Sequence, residues 1–176
     1  MAGGQLEMGS TTAECRGELA MPLFIFVIIL LGMGAFTMTT STTSSVRGIR
    51  IHNPLNIRIA ANAWKGKVTP SRDKAFETFK APEWGFRAGA ILLRNYQLRH
   101  ELHTLTEIIH RFAPPNENHT ANYARFVAGR VGVGMDERID LVNNKPLLVE
   151  VLHAMSIMEV GRHYSKHTVL KGVELA

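Results

Sequence analysis

Residues 19–36, LAMPLFIFVIILLGMGAF, are eighteen consecutive positions without a charge or a strongly polar side chain. A helix of this length just reaches across a hydrocarbon core of about 30 Å, for which about 20 residues are typical. A helix on the surface of a soluble core would show polar residues every three or four positions. None occur in this run, so it reads as a single membrane-spanning anchor. Three alternatives stay open: a buried helix, a cleaved signal peptide, and translation from Met21, which would leave the run at the extreme N-terminus. Signal peptides begin with a basic stretch, whereas Glu7, Glu14 and Glu18 precede this run beside Arg16 alone.

The run divides the 176-residue chain into unequal parts. Residues 1–18 form a polar tail, and residues 37–46, TMTTSTTSSV, hold eight Ser or Thr in ten positions, the composition of a flexible spacer. Residues 47–176 are of ordinary domain size. Charge splits the same way: residues 1–46 sum to −2 and residues 47–176 to +7. A basic domain favours anionic partners such as nucleic acid, lipid headgroups or cell-wall polymer. Nucleic acid is set aside because the basic residues are scattered along the sequence without an aromatic-interleaved stripe. Arg47 and Arg50 flank the apolar run on its C-terminal side, which by the positive-inside rule puts the domain in the cytoplasm of a host cell. Cys15 is the one cysteine, so an intramolecular disulfide and a Cys-rich metal site are both excluded.

The domain reads as mainly α with a small β element. NIRIA (56–60) and AFETF (75–79) alternate like short strands, separated by the loop-like WKGKVTPSRD. After Pro82 the spacing of Phe86, Ala90, Leu93 and Tyr96 is helical. Thr104 and Glu107 make a capping box for a helix that Pro114 and Pro115 end. Asn118 or Thr120 caps the next helix, which Gly132 stops. Asn144 and Pro146 open a long helix with Leu148, Val151, Leu152, Met155 and Met158 along its apolar stripe.

Phosphate-loop, dinucleotide and serine-hydrolase signatures are absent. Glu159, His163 and His167 would share a face if the last helix continued that far, a metal-compatible spacing that is equally that of a solvated helix end. No metal or other cofactor is expected. Arg87, near a helix start, points to a carboxylate or sugar-peptide partner.

The segments RGIRIHNPLNIR (47–58), GFRA (85–88) and APPNENHTANY (113–123) carry a resemblance. In this order they resemble a group of phage and prophage virion structural proteins with R-G-I-R-x-x-N-P-x-N-I-R, G-x-R-A and A-P-P-x-E-N-x-T-x-x-Y. Leu55 stands where that group commonly has Gly, and Phe112 where Trp is common. An anchored member also looks like a membrane protein of an internal-membrane, tailless phage. The same order is similar to bacterial glucosaminidase domains of the lysozyme superfamily, with Asn53, Trp64, Lys65, Gly66, Phe76, Phe79, Tyr96 and Tyr123 at corresponding places. Those domains have a catalytic Glu at the end of an apolar helix before the Asn-rich loop, but nothing acidic lies between Glu18 and Asp73 here.

VLHAMSIMEVG ends an apolar helix with Glu159-Val160-Gly161, like the E-x-G that follows the first helix of lysozyme-like enzymes. In a circularly permuted lysozyme-like domain this last helix would take the place of the first. Glu159 would then face a cleft beside residues 53–56 as general acid, with Asp73 as the second carboxylate. Glu159 as a solvated helix residue and Asp73 as a loop residue are the plain alternatives. Asn53, Asn56, Trp64, Asn118, Thr120 and Tyr123 suit glycan binding through hydroxyl hydrogen bonds and ring stacking, although capping explains Asn118 and Thr120 equally well.

The reading is a single-pass membrane protein, in a virion's internal membrane or the host inner membrane. Its lysozyme-like domain degrades peptidoglycan as a lysozyme or transglycosylase, and its partners are peptidoglycan, lipid and other virion proteins. The alternative is a non-catalytic structural protein that binds cell wall or links capsid to membrane.

Overall fold

The computed structural model describes residues 46–115 and 119–176. The polar tail, the apolar run, nearly all of the Ser/Thr-rich spacer and Asn118 lie outside the described residues. Among the described residues no helix is long and apolar enough to cross a membrane.

Six helices follow in order: α1 (Arg47–Arg50), α2 (Pro82–His100), α3 (Leu105–Phe112), α4 (Thr120–Val131), α5 (Lys145–Val160) and α6 (Lys166–Glu174). Local chemistry sets most of their ends. Proline occupies the first turn of α2, where its missing N–H costs nothing. The capping box forms as expected: Thr104 Oγ1 accepts from Glu107 N at 3.2 Å, and Glu107 Oε2 accepts from Thr104 N at 2.9 Å. Asn144 Oδ1 accepts from Leu147 N at 3.0 Å to start α5. Gly132, at φ +79°, takes the left-handed conformation that terminates α4.

The centre belongs to α5, which packs on α1, α2, α4 and α6, while α2 also packs on α6 and α3 on α4. Leu148, Val151, Leu152 and Met155 of α5 are fully buried with Phe86 and Leu93 of α2, Ile108 and Ile109 of α3, and Val127 of α4. The α2–α6 pair is close because Gly172 presents no side chain: a Cβ there would collide with the Phe86 Cβ and approach Glu83 O to 2.8 Å. Arg87, buried at the same seam, donates from Nε to Leu175 O at 2.8 Å, so its partner is the chain's own C-terminal segment.

Several expectations change. The two strands shrink to isolated antiparallel bridges, Arg58 with Phe76 and Lys67 with Phe79. Residues 75–80 receive one short segment on each side: Glu77 N donates to Ile57 O at 2.9 Å, and Val68 N donates to Thr78 O at 2.8 Å. Asn56, at φ +46°, bends the chain before the first pairing can lengthen, and Asp73 turns it just before residue 75. The second expected change lies in α5, which stops at Val160 because Gly161 adopts φ +78°. The chain restarts as α6, unforeseen from the spacing, with Ser165 Oγ accepting from Thr168 N at 3.3 Å. The shared face of Glu159, His163 and His167 therefore does not form, and no metal-binding group of His, Cys, Asp or Glu occurs among the described residues. Met158 lies on the outer side of α5 at 42% exposure and is not part of the apolar stripe. Thr120 opens α4 without capping it; its buried hydroxyl instead donates to Ala113 O at 2.7 Å.

Met155 sits at 0% exposure in the middle of this packing. Burying an unpaired carboxylate there costs several kcal/mol, comparable with the whole stability of a small domain. Met155→Asp is expected to abolish the cooperative thermal transition seen by circular dichroism. A folded variant with an unchanged melting temperature would show that α5 is peripheral.

Candidate functional site

A cleft of about 840 Å³ opens between the loop that follows α1 and the facing parts of α2 and α3, with Glu159 in its lining. The architecture that puts Glu159 there starts with Asn53. This side chain is fully buried, accepts from Ile57 N at 2.9 Å, and donates to Ile57 O and Glu77 O at 2.9 Å each. Asn53 therefore holds the loop together and does not face the cleft. The bend it stabilises turns Asn56 toward the end of α5, where Asn56 Nδ2 donates to Glu159 Oε2 at 2.9 Å. From the other side, α4 supplies Tyr123, whose hydroxyl donates to Glu159 Oε1 at 3.1 Å.

The carboxyl thus has one donor on each oxygen. Desolvation is the largest influence and pushes Glu159 above the ordinary carboxyl value of 4.5, against the opposing pull of Asn56, Tyr123 and the Arg47 charge. The Tyr123 hydroxyl is pushed well above its usual range, first by burial and then by the neighbouring carboxylate, so it remains a donor. A carboxyl held above its ordinary value that lines an open cleft is suited to hand a proton to an oxygen placed about 3 Å away.

The other expected residues divide. Trp64 lines the cleft, and its indole Nε1 is buried without a hydrogen-bond partner among the described residues. Thr120 is committed to Ala113 O, away from Glu159. Asp73 is not in the cleft lining: its Oδ1 accepts from Ala75 N at 2.9 Å and Phe76 N at 3.0 Å. These backbone donors, Ala75 first, hold its carboxyl below the usual range, as do the charges of Arg47 and Arg50. Among the described residues Glu159 is the only acidic side chain in the cleft lining. Arg47, Arg58 and Arg111 line it too; the first two open and close the RGIRIHNPLNIR motif, but nothing in the sequence connects them with Arg111, 53 positions further on.

Gly48 controls how closely the loop and α5 meet. A Cβ there would lie 2.5 Å from Val160 Cγ1, 2.7 Å from Asn53 O and 2.9 Å from Asn56 Oδ1. Gly48→Ala should therefore lower stability by about 1–3 kcal/mol, the usual scale of overpacking. An unchanged midpoint in urea unfolding would show that this contact is loose.

Burial of Glu159 also has a pH signature. A carboxyl whose native pKa is raised contributes stability that is fully present below its unfolded value of 4.5 and is lost as pH rises through the raised native value. Relative to the non-titrating Glu159→Gln, the wild-type chain should lose stability over that window and then level off. A difference independent of pH, measured by urea unfolding, would show that the carboxyl is not desolvated.

No family model matches the sequence. Protein P5 of Pseudoalteromonas phage PM2 is 34% identical over 154 residues, covering 85% of this chain and 94% of that protein. This agrees, at the level of a phage protein, with the resemblance carried by the ordered motifs of residues 47–123. An identity of this size across nearly the whole of both chains settles the relationship: the chain belongs to the same family of phage proteins as Protein P5.

Proposed function

We propose that the chain is a membrane-anchored, virion-associated protein whose lysozyme-like domain cleaves the glycan strands of peptidoglycan. One observation carries the reading: the Glu159 carboxyl, at the end of an apolar helix, is desolvated, doubly hydrogen-bonded and open to a cleft. That is the arrangement a circularly permuted lysozyme-like site requires, with α5 in the place of the first helix.

Glu159 donates its proton to the glycosidic oxygen as the C1–O bond breaks, and Asn56 and Tyr123 stabilise the carboxylate left behind. The second stabilising group is better supplied by the substrate than by Asp73, since Asp73 is engaged by the backbone outside the cleft lining. The carbonyl oxygen of the sugar's acetamido group attacks C1 and takes up the positive charge. Water or a sugar hydroxyl then attacks C1 and returns its proton to Glu159. Trp64 offers the cleft an indole ring for sugar stacking.

The same two donors on Glu159 suit a connector that binds wall or links capsid to membrane without cutting, because they would also hold a purely structural carboxylate in place. Zymography separates the two. Wild-type protein should clear embedded peptidoglycan, and Glu159→Gln should lose clearing by roughly 10²–10⁴-fold while still sedimenting with cell wall. Clearing that survives Glu159→Gln moves the acid elsewhere. Absence of clearing by the wild type on every peptidoglycan type, with binding retained, selects the connector.

A further inference from the structure

Three arginines at distant sequence positions converge on the cleft around two aromatic rings. Arg47 stands 3.7 Å and Arg58 5.2 Å from the centroid of Phe76, and Arg111 stands 5.3 Å from that of Tyr96. The Arg111 Nη2 also lies 3.1 Å from His100 Nε2. All three arginines are exposed, whereas Tyr96 is buried and Phe76 half-buried. A guanidinium resting over a ring is fixed in place by that contact and holds its positive charge at the cleft.

Charge in the cleft is one-sided. Glu159 is the single acidic side chain lining it among the described residues, against three guanidinium groups. A neutral glycan offers hydroxyls and amides and draws no benefit from such a field. A strand with carboxylate substituents meets planar donors matched to carboxylate geometry, and charge-assisted bonds of this kind are about twice as strong as neutral ones. We propose that the cleft is selective for carboxylate-bearing glycan, with Arg47, Arg58 and Arg111 binding the carboxylates that the strand's substituents carry. The proposal deepens the preceding section's glycan reading of this cleft and rests on it for the ligand class, but not on bond cleavage.

Binding by the full chain in detergent, carrying Glu159→Gln so that nothing is cut, tests it. The probes are soluble peptidoglycan strands, the same strands with their carboxyls amidated, and neutral chitooligosaccharides. At low salt the native strands should bind at least ~10-fold more tightly than either neutral probe, with the gap narrowing as salt screens the charges. Arg58→Gln and Arg111→Gln should each lower affinity for native strands by ~10-fold, leaving the amidated strands unaffected, and Arg111→Lys should recover part of the loss. Melting curves check that each variant is folded, and the lysine variant carries the test if the glutamine one is not. Equal binding of native and amidated strands overturns the proposal, as does an arginine effect common to all probes. Single-stranded DNA binding more tightly than native strands would assign the arginines to nucleic acid and also overturn it. Arginine-dependent binding without zymogram clearing by wild-type protein would sink cleavage alone; clearing with no arginine dependence would sink selectivity alone.

Discussion

The Glu159 carboxyl draws together three segments that the chain separates widely. Asn56 reaches it from the loop after α1, Tyr123 from α4, and Glu159 itself stands in the last turn of α5. Desolvating a carboxyl is costly, and a donor on each oxygen offsets part of that cost at Glu159. Much of the fold's detail near the cleft serves this arrangement. The Asn53 scaffold, the left-handed Asn56 and the bare Gly48 all bring one amide to one carboxylate.

What the sequence showed plainly was local. The capping box at Thr104 and Glu107, the Asn144 cap and the stop at Gly132 each follow from groups within four residues of one another. The buried stripe of α5 was legible for the same reason as far as Met155. Met158 was misassigned because helical spacing alone does not say how wide the apolar face is. The break at Gly161 was obscured because the His residues beyond it continue a four-residue rhythm that the backbone does not follow. The adjacency of Glu159 to residues 53–56 was expected through the resemblance to lysozyme-like domains, and its geometry is now on view as a 2.9 Å hydrogen bond. Arg47 and Arg58 were visible as the two ends of RGIRIHNPLNIR, but their meeting with Arg111 at the cleft was not, since nothing local relates that motif to position 111.

The buried Glu77 shows a different solution to the same problem. Its carboxylate is fully enclosed, with Lys67 Nζ 2.8 Å from Oε1, and it ties together the two short pairings that replace a sheet. Removing one partner of a buried ion pair strands the other charge, so Lys67 and Glu77 act together as a clasp on the loop beside the cleft. Among the described residues Glu159 has no such cation in hydrogen-bond contact, and desolvation instead raises its pKa above the ordinary value.

The position of Glu159 within α5 adds to that preference. Peptide dipoles along a helix leave partial negative charge at the C-terminal end, where cations are welcome and anions are not. No basic residue occupies the last turn of α5, so no side chain of the helix itself offsets its field there. One carbonyl of that turn, Glu159 O, accepts at 3.4 Å from the same Asn56 amide that holds the carboxylate. Ending the helix at Val160 therefore does more than stop an element. It sets the carboxyl in the negative pole of sixteen aligned peptide units, a second source of proton affinity that needs no neighbouring acid.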